Sequence, residues 1–198
     1  MIKALCIGDS HTAGFTEHDP MFGGNVKSSY QFWLTEKLKE MGCEKKISFI
    51  NRGVCGDTSG GIVSRLIRCL DTMDVDLIIL QGGTNDLGMF SLDETFSNLK
   101  QGYCACLKRD LPVIAVTVPP LNYKECESKV MFINRAIIEY AENNSHAFIA
   151  DWFKTLRTDD NRLKAEYDEG DGVHLSVQGY RQSGSTLAQP VIDAVAFF

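Results

Sequence analysis

Apolar positions are distributed along this chain in two ways. Short runs such as Ile78-Ile79-Leu80 and Val113-Ile114-Ala115-Val116 are apolar without interruption, as strands buried on both faces of a parallel sheet are. Longer stretches repeat apolar residues at helical spacing, with Tyr30, Trp33, Leu34, Leu38 and Met41 marking one side of a helix over 28–41. The pattern predicts strands at 2–7, 47–51, 75–81, 112–118 and 146–150, and helices near 28–41, 60–71, 93–108, 127–143 and 176–195. Strands alternating with helices predict an α/β fold, a parallel sheet covered on both faces, with right-handed crossovers. No low-complexity linker and no 20–50-residue repeat interrupts the alternation, so residues 1–198 are expected to form a single domain.

In sheets of this kind, sites gather beyond the carboxyl ends of strands, where the strand order reverses. Three segments follow candidate strands there: GDSHTAG (8–14), NRGVCGDTSGG (51–61) and QGGTNDLG (81–88). Ser10 reads either as a turn or capping residue or as a nucleophile, and the second role requires a base and an oxyanion site elsewhere. Gly53 and Gly56 fit a plain strand-to-helix turn capped by Asp57 or Thr58, or a main-chain N–H brought close to a ligand. Asn85 is a good turn former, and its side-chain amide is also a candidate donor to a developing oxyanion. Near the end of the chain, Asp171 and His174 stand three residues apart in DGVH. A carboxylate there can hold one ring nitrogen and turn the other towards a nucleophile; alternatively Asp171 is a loop residue and His174 a pocket histidine.

Taken together, the blocks Gly8-Asp9-Ser10, Gly56, Gly83-Thr84-Asn85-Asp86 and Asp171-Gly172-Val173-His174 resemble those of the SGNH hydrolases, also called the GDSL esterase/lipase family, in order and spacing over practically the whole chain. The resemblance implies a three-layer α/β/α, flavodoxin-like fold with a five-stranded parallel sheet. It implies Ser10 as nucleophile, His174 as base and Asp171 as its orienter. It also implies an oxyanion hole made by the N–H groups of Ser10 and Gly56 with the Asn85 amide; Gly53 is the alternative to Gly56, which is preferred for its Gly-Asp-Thr context. The sequence departs from the family in one place: His11 stands where an aliphatic residue often follows the nucleophile. It is read as a rim residue without a chemical role, ahead of a substrate contact.

Other chemistries lack their patterns. There is no G-x-S-x-G elbow, no nucleotide P-loop and no His-Glu-x-x-His among the histidines at 11, 18, 146 and 174. The Asp168–Gly172 run does not match a calcium-binding loop. The Lys/Arg cluster of a phosphoryl-transfer site is missing from these motifs. No metal or organic cofactor is therefore expected.

Bulk composition adds limits. A formal charge of −6 argues against a broad nucleic-acid surface, and no apolar run is long enough to span a membrane. The short apolar start is too brief for a signal segment, and the seven cysteines form no C-x-x-C pair. These features predict free thiols and a cytoplasmic location. The expected partner is a small-molecule ester with a short acyl chain, acetylated carbohydrates included. Met89, Phe90, Leu121 and Tyr123 are candidate pocket walls. The alternatives are a lysophospholipase- or thioesterase-type acyl hydrolase and a catalytically silent binding module of the same fold.

Overall fold

In the computed structural model, which describes residues 1–14 and 26–196, the uninterrupted apolar runs form the centre of a parallel sheet. β1 (Ile2–Gly8) lies between β2 (Ile47–Gly53) and β3 (Leu77–Leu80), and β4 (Val113–Val116) and β5 (Ala147–Ala150) extend the sheet beyond β3. Every neighbouring pair is parallel. Because side chains alternate across a strand, Ala4, Cys6, Leu77, Ile79, Ile114 and Val116 enter one buried cluster while Leu5, Ile7, Ile78, Leu80, Val113 and Ala115 enter the other.

The first cluster is closed by α2 (Tyr30–Glu40), α6 (Trp152–Leu156) and α7 (Val177–Val195), the second by α3 (Ser59–Thr72), α4 (Leu92–Leu107) and α5 (Glu127–Glu142). The result is the expected three-layer α/β/α arrangement with five parallel strands. Ser29, Thr58, Ser91, Asp151 and Ser176 cap α2, α3, α4, α6 and α7 by accepting a backbone N–H in the first turn, as short oxygen-bearing side chains do. Thr58, not Asp57, is the cap of α3.

Three strands are shorter than the apolar pattern suggests, β3 (Leu77–Leu80 against 75–81), β4 (Val113–Val116 against 112–118) and β5 (Ala147–Ala150 against 146–150), while β2 runs on to Gly53. β4 stops at Val116 because the backbone of Val118 is taken over by the buried Asn134 side chain, whose Oδ1 accepts the Val118 N–H at 2.7 Å and whose Nδ2 donates to the Val118 carbonyl at 2.9 Å. β3 ends at Leu80 rather than Gln81. Two helices, α1 (Ser10–Ala13) and α6, are shorter than two turns and left no periodicity to read. Among the described residues no helix is long and apolar enough to cross a membrane.

Candidate active site

Register brings the three motif-bearing segments to one place. Gly8 pairs with Gly53 and Ile7 with Leu80, so the chains leaving β1, β2 and β3 emerge side by side. The strand order reverses about β1, which makes this the switch point of the sheet.

Ser10 is the first residue of α1, so its own N–H has no intrahelical acceptor. The turn that carries it is fixed by buried polar groups. Asp9 accepts the His11 N–H at 3.0 Å, and the Gln81 side chain donates to Asp9 Oδ2 at 3.1 Å while accepting from the Thr12 hydroxyl at 3.2 Å. Burial pushes the Asp9 carboxyl up to about 6, with the charges of Asp86 and Asp57 adding to it and the bonds from His11 and Gln81 opposing it.

The Ser10 Oγ lies 3.1 Å from His174 Nε2, and His174 Nδ1 lies 2.6 Å from Asp171 Oδ2. The other carboxylate oxygen holds its own loop, accepting the backbone N–H groups of Val173 at 2.9 Å and His174 at 2.8 Å. Partial burial works to raise the Asp171 pKa, but the His174 ring bond, these backbone bonds and the His174 charge together keep it below the ordinary carboxylate value. A neutral His174 with Nδ1–H donated to Asp171 presents its Nε2 lone pair to the Ser10 hydroxyl. The arrangement can pass a proton from serine to histidine.

The second segment distinguishes its two glycines. The Gly53 N–H is already donated to Asn51 Oδ1 at 2.9 Å, and a Cβ at Gly53 would fall 2.0 Å from the backbone nitrogen of Ala13. Only glycine permits that approach of β2 to α1. Gly56 sits at φ +75° with open space where a Cβ would be, on the exposed side of the loop. The Asn85 amide meets this segment by donating to the Asp57 carbonyl at 2.9 Å, which leaves its second N–H for another acceptor. The fully buried Asp86 accepts both the Ser59 N–H at 2.9 Å and the Ser59 hydroxyl at 2.5 Å.

Arg65 of α3 ties these pieces together. It donates to Asp57 Oδ2 at 2.7 Å, to the Arg52 carbonyl at 2.6 Å and to the Gly8 carbonyl at 2.9 Å. Sequence reasoning missed Arg65, because nothing local links it to a strand end 57 residues earlier. Gln81 and Asp86 lay inside a recognised block but without an assigned role.

His11 corrects an expectation. It is not a rim residue: its side chain is fully buried, with its ring centroid 5.8 Å from that of His174 and both ring nitrogens without a hydrogen-bond partner among the described residues. Burial, reinforced by the His174 charge and opposed by that of Asp171, lowers its pKa to about 3. The unfolded chain protonates this histidine below its ordinary value of 6.5, while the folded chain refuses the proton until about 3. The stability that comes from keeping it neutral is therefore complete above 6.5 and is lost as the pH falls towards 3. Asp9 has the opposite sign, its contribution fading as the pH rises from 3.8 through about 6. A His11→Leu variant removes only the first effect. Urea unfolding at pH 7 and pH 4 is expected to show the variant gaining on the wild type by about a few kcal/mol at the lower pH; a gap that does not change with pH would mean that His11 is solvated.

Of the candidate pocket walls, Met89 and Phe90 are exposed and Leu121 is buried in the second core cluster. Tyr123 is exposed as well, with its hydroxyl donating to the Asp171 carbonyl at 3.0 Å. His18 lies outside the described residues. No cluster of three potential metal ligands occurs among the described residues.

Comparison with known proteins decides the lineage of this site. The sequence pattern of the GDSL-like Lipase/Acylhydrolase family matches residues 6–182. The chain belongs to that family. It is, accordingly, a carboxylic ester hydrolase. This GDSL hydrolase is 26% identical to an arylesterase of Vibrio mimicus over 195 residues, covering 96% of this chain and 88% of that protein. Among solved structures, the lipase/acylhydrolase from Enterococcus faecalis superposes with a TM-score of 0.80 at 20% identity, covering 96% of this chain and 95% of the other. A carbohydrate esterase family 3 protein from Talaromyces cellulolyticus superposes with a TM-score of 0.74 at 16% identity over 100% of both chains. At these identities the two structures speak for the fold.

Proposed function

We propose that this GDSL hydrolase is a serine esterase acting on carboxylic esters of short acyl chains, with Ser10 as nucleophile, His174 as general base and Asp171 as its orienter. The observation that carries the reading is the continuous relay from Ser10 Oγ to His174 Nε2 at 3.1 Å and from His174 Nδ1 to Asp171 at 2.6 Å. His174 takes the Ser10 proton as Oγ attacks the ester carbonyl. The oxyanion is met by the N–H groups of Ser10 and Gly56 and the free N–H of the Asn85 amide. Collapse breaks the bond to the alcohol oxygen, which receives the proton from His174, and leaves an acyl-serine. A water molecule then gives its proton to His174 and attacks the acyl carbon, returning the acid and the free hydroxyl. Asp171 remains ionised throughout and stabilises the transient imidazolium.

Every proton and charge in this sequence is handled by the chain's own groups, so the reaction needs no cofactor. The presence of nucleophile, base and candidate donors together argues against a silent binding module. Seven free thiols support a reducing, cytoplasmic setting for it. Acetate esters of carbohydrates are among the candidate natural substrates, and the Vibrio mimicus relative named an arylesterase favours an ester substrate.

The test is a series of p-nitrophenyl esters from acetyl to palmitoyl, below micelle-forming concentrations and with and without a chelator. We expect kcat/KM to be highest for acetyl or butyryl, and unchanged by chelation. A rate that climbs steadily to palmitoyl would favour the lysophospholipase-type alternative, and loss in chelator with rescue by a divalent ion would overturn the cofactor-free mechanism.

A further inference from the structure

We propose that Asn122 and Asp168 form a polar brace that positions the Asp171–His174 loop against Ser10. The inference rests on the reading of Ser10, His174 and Asp171 as the reacting relay.

The brace is built from two loops distant in sequence. Asn122 lies between β4 and α5, and Asp168 follows a short turn at Ala165–Tyr167 ahead of α7. The Asn122 side chain donates to Asp168 Oδ2 at 2.7 Å, and the Asn122 N–H donates to the Gly172 carbonyl at 2.8 Å. The other Asp168 oxygen accepts the N–H groups of Gly170 at 2.8 Å and Gly172 at 3.0 Å. Tyr123 donates to the Asp171 carbonyl at 3.0 Å, and Arg162 donates to the Asn122 carbonyl at 3.3 Å. Every residue from Gly170 to Gly172 is thus held through its backbone by this pair of side chains or by the residue next to Asn122.

The loop needs such a device. Leu175 is fully buried and fixes its far end, whereas the Asp171 side chain is 43% exposed and its own bonds go to Val173 and His174 of the same loop. The brace itself is anchored from below, since the backbone of Val118 at the start of the β4–α5 loop is gripped by Asn134 of α5. A shift of the loop would change the 3.1 Å separation between Ser10 and His174 directly. Displacement of about 1 Å in a reacting constellation costs on the order of 10²-fold in rate.

The pair has a defined polarity, and that supplies the test. Asn122→Asp sets two carboxylates against each other, and Asp168→Asn sets two amide donors against each other. The combined Asn122→Asp, Asp168→Asn variant restores one donor and one acceptor at the same separation, with the amide oxygen at position 168 still able to accept from Gly170 and Gly172. Steady-state kinetics on p-nitrophenyl acetate, with circular dichroism for folding and Ser10→Ala in parallel, is the experiment. Each single variant is expected to lose kcat, by up to about 10²-fold, with KM little changed, and the combined variant to recover most of the loss. Because the exchange is isosteric, the combined variant stays informative even if a single variant unfolds. A folded single variant with wild-type kcat, or a folded combined variant no faster than the slower single, overturns the brace. Retained activity in Ser10→Ala overturns the underlying reading and the brace with it, whereas a dead Ser10→Ala beside unaffected brace variants removes the brace alone.

Discussion

Ser10→Ala is expected to lower ester turnover by about 10⁴-fold or more without unfolding the protein. The hydroxyl is what the reading assigns to the new bond, so no other group in the relay can substitute for it. The fold has little reason to suffer. The Ser10 hydroxyl is engaged by His174, and the turn is held by Asp9, Gln81 and Thr12 instead. The substitution leaves the backbone N–H at position 10 in place, so one oxyanion donor is preserved. Residual activity above the uncatalysed rate is then a measure of what the remaining donors contribute. Circular dichroism and thermal unfolding should match the wild type; a large loss of stability would place Ser10 among the structural residues of the turn.

Asn85→Ala is expected to lower kcat by about 10²–10³-fold, equivalent to about 2.7–4 kcal/mol of transition-state stabilisation, with KM little altered. An interaction that strengthens only as charge develops on the carbonyl oxygen appears in kcat. The choice of alanine matters. Because one amide N–H is already given to the Asp57 carbonyl, an aspartate at this position would face that carbonyl with a carboxylate and be harmful under either reading of the residue. Alanine separates them. The 53–59 segment keeps the Arg65–Asp57 ion pair and the Ser59–Asp86 bonds, so loss of the Asn85–Asp57 bond alone removes about 1 kcal/mol and shows as a modest change in Tm. If folded Asn85→Ala keeps near-normal kcat, the amide shapes the loop and the oxyanion hole lies elsewhere.

Much of this architecture was legible in the chain. The continuous apolar runs of β3 and β4 could belong only to buried segments, and their spacing from amphipathic stretches specified a parallel sheet. That in turn put Ser10, Gly56 and Asn85 at one end of it. The pairing of Asp171 with His174 was readable because three residues suffice to close that contact. What was hidden depended on contacts between segments far apart. Arg65 carries no local signal for its reach to Gly8, nor Asn122 for its reach to Asp168 46 residues later. His11 misled for a different reason. A histidine in a turn reads as exposed, and its burial follows from a four-residue helix too short to declare which side faces inward.

Trapping the nucleophile decides whether the acyl group is carried by Ser10. The protein is treated with a fluorophosphonate, whose phosphorus is attacked by an activated serine with loss of fluoride, then digested and mapped by mass spectrometry. One adduct per chain is expected, on Ser10, and it should be lost in His174→Ala because the hydroxyl then has no base. An adduct on another residue, or an unmodified Ser10 in a fully inhibited enzyme, would contradict that role for Ser10.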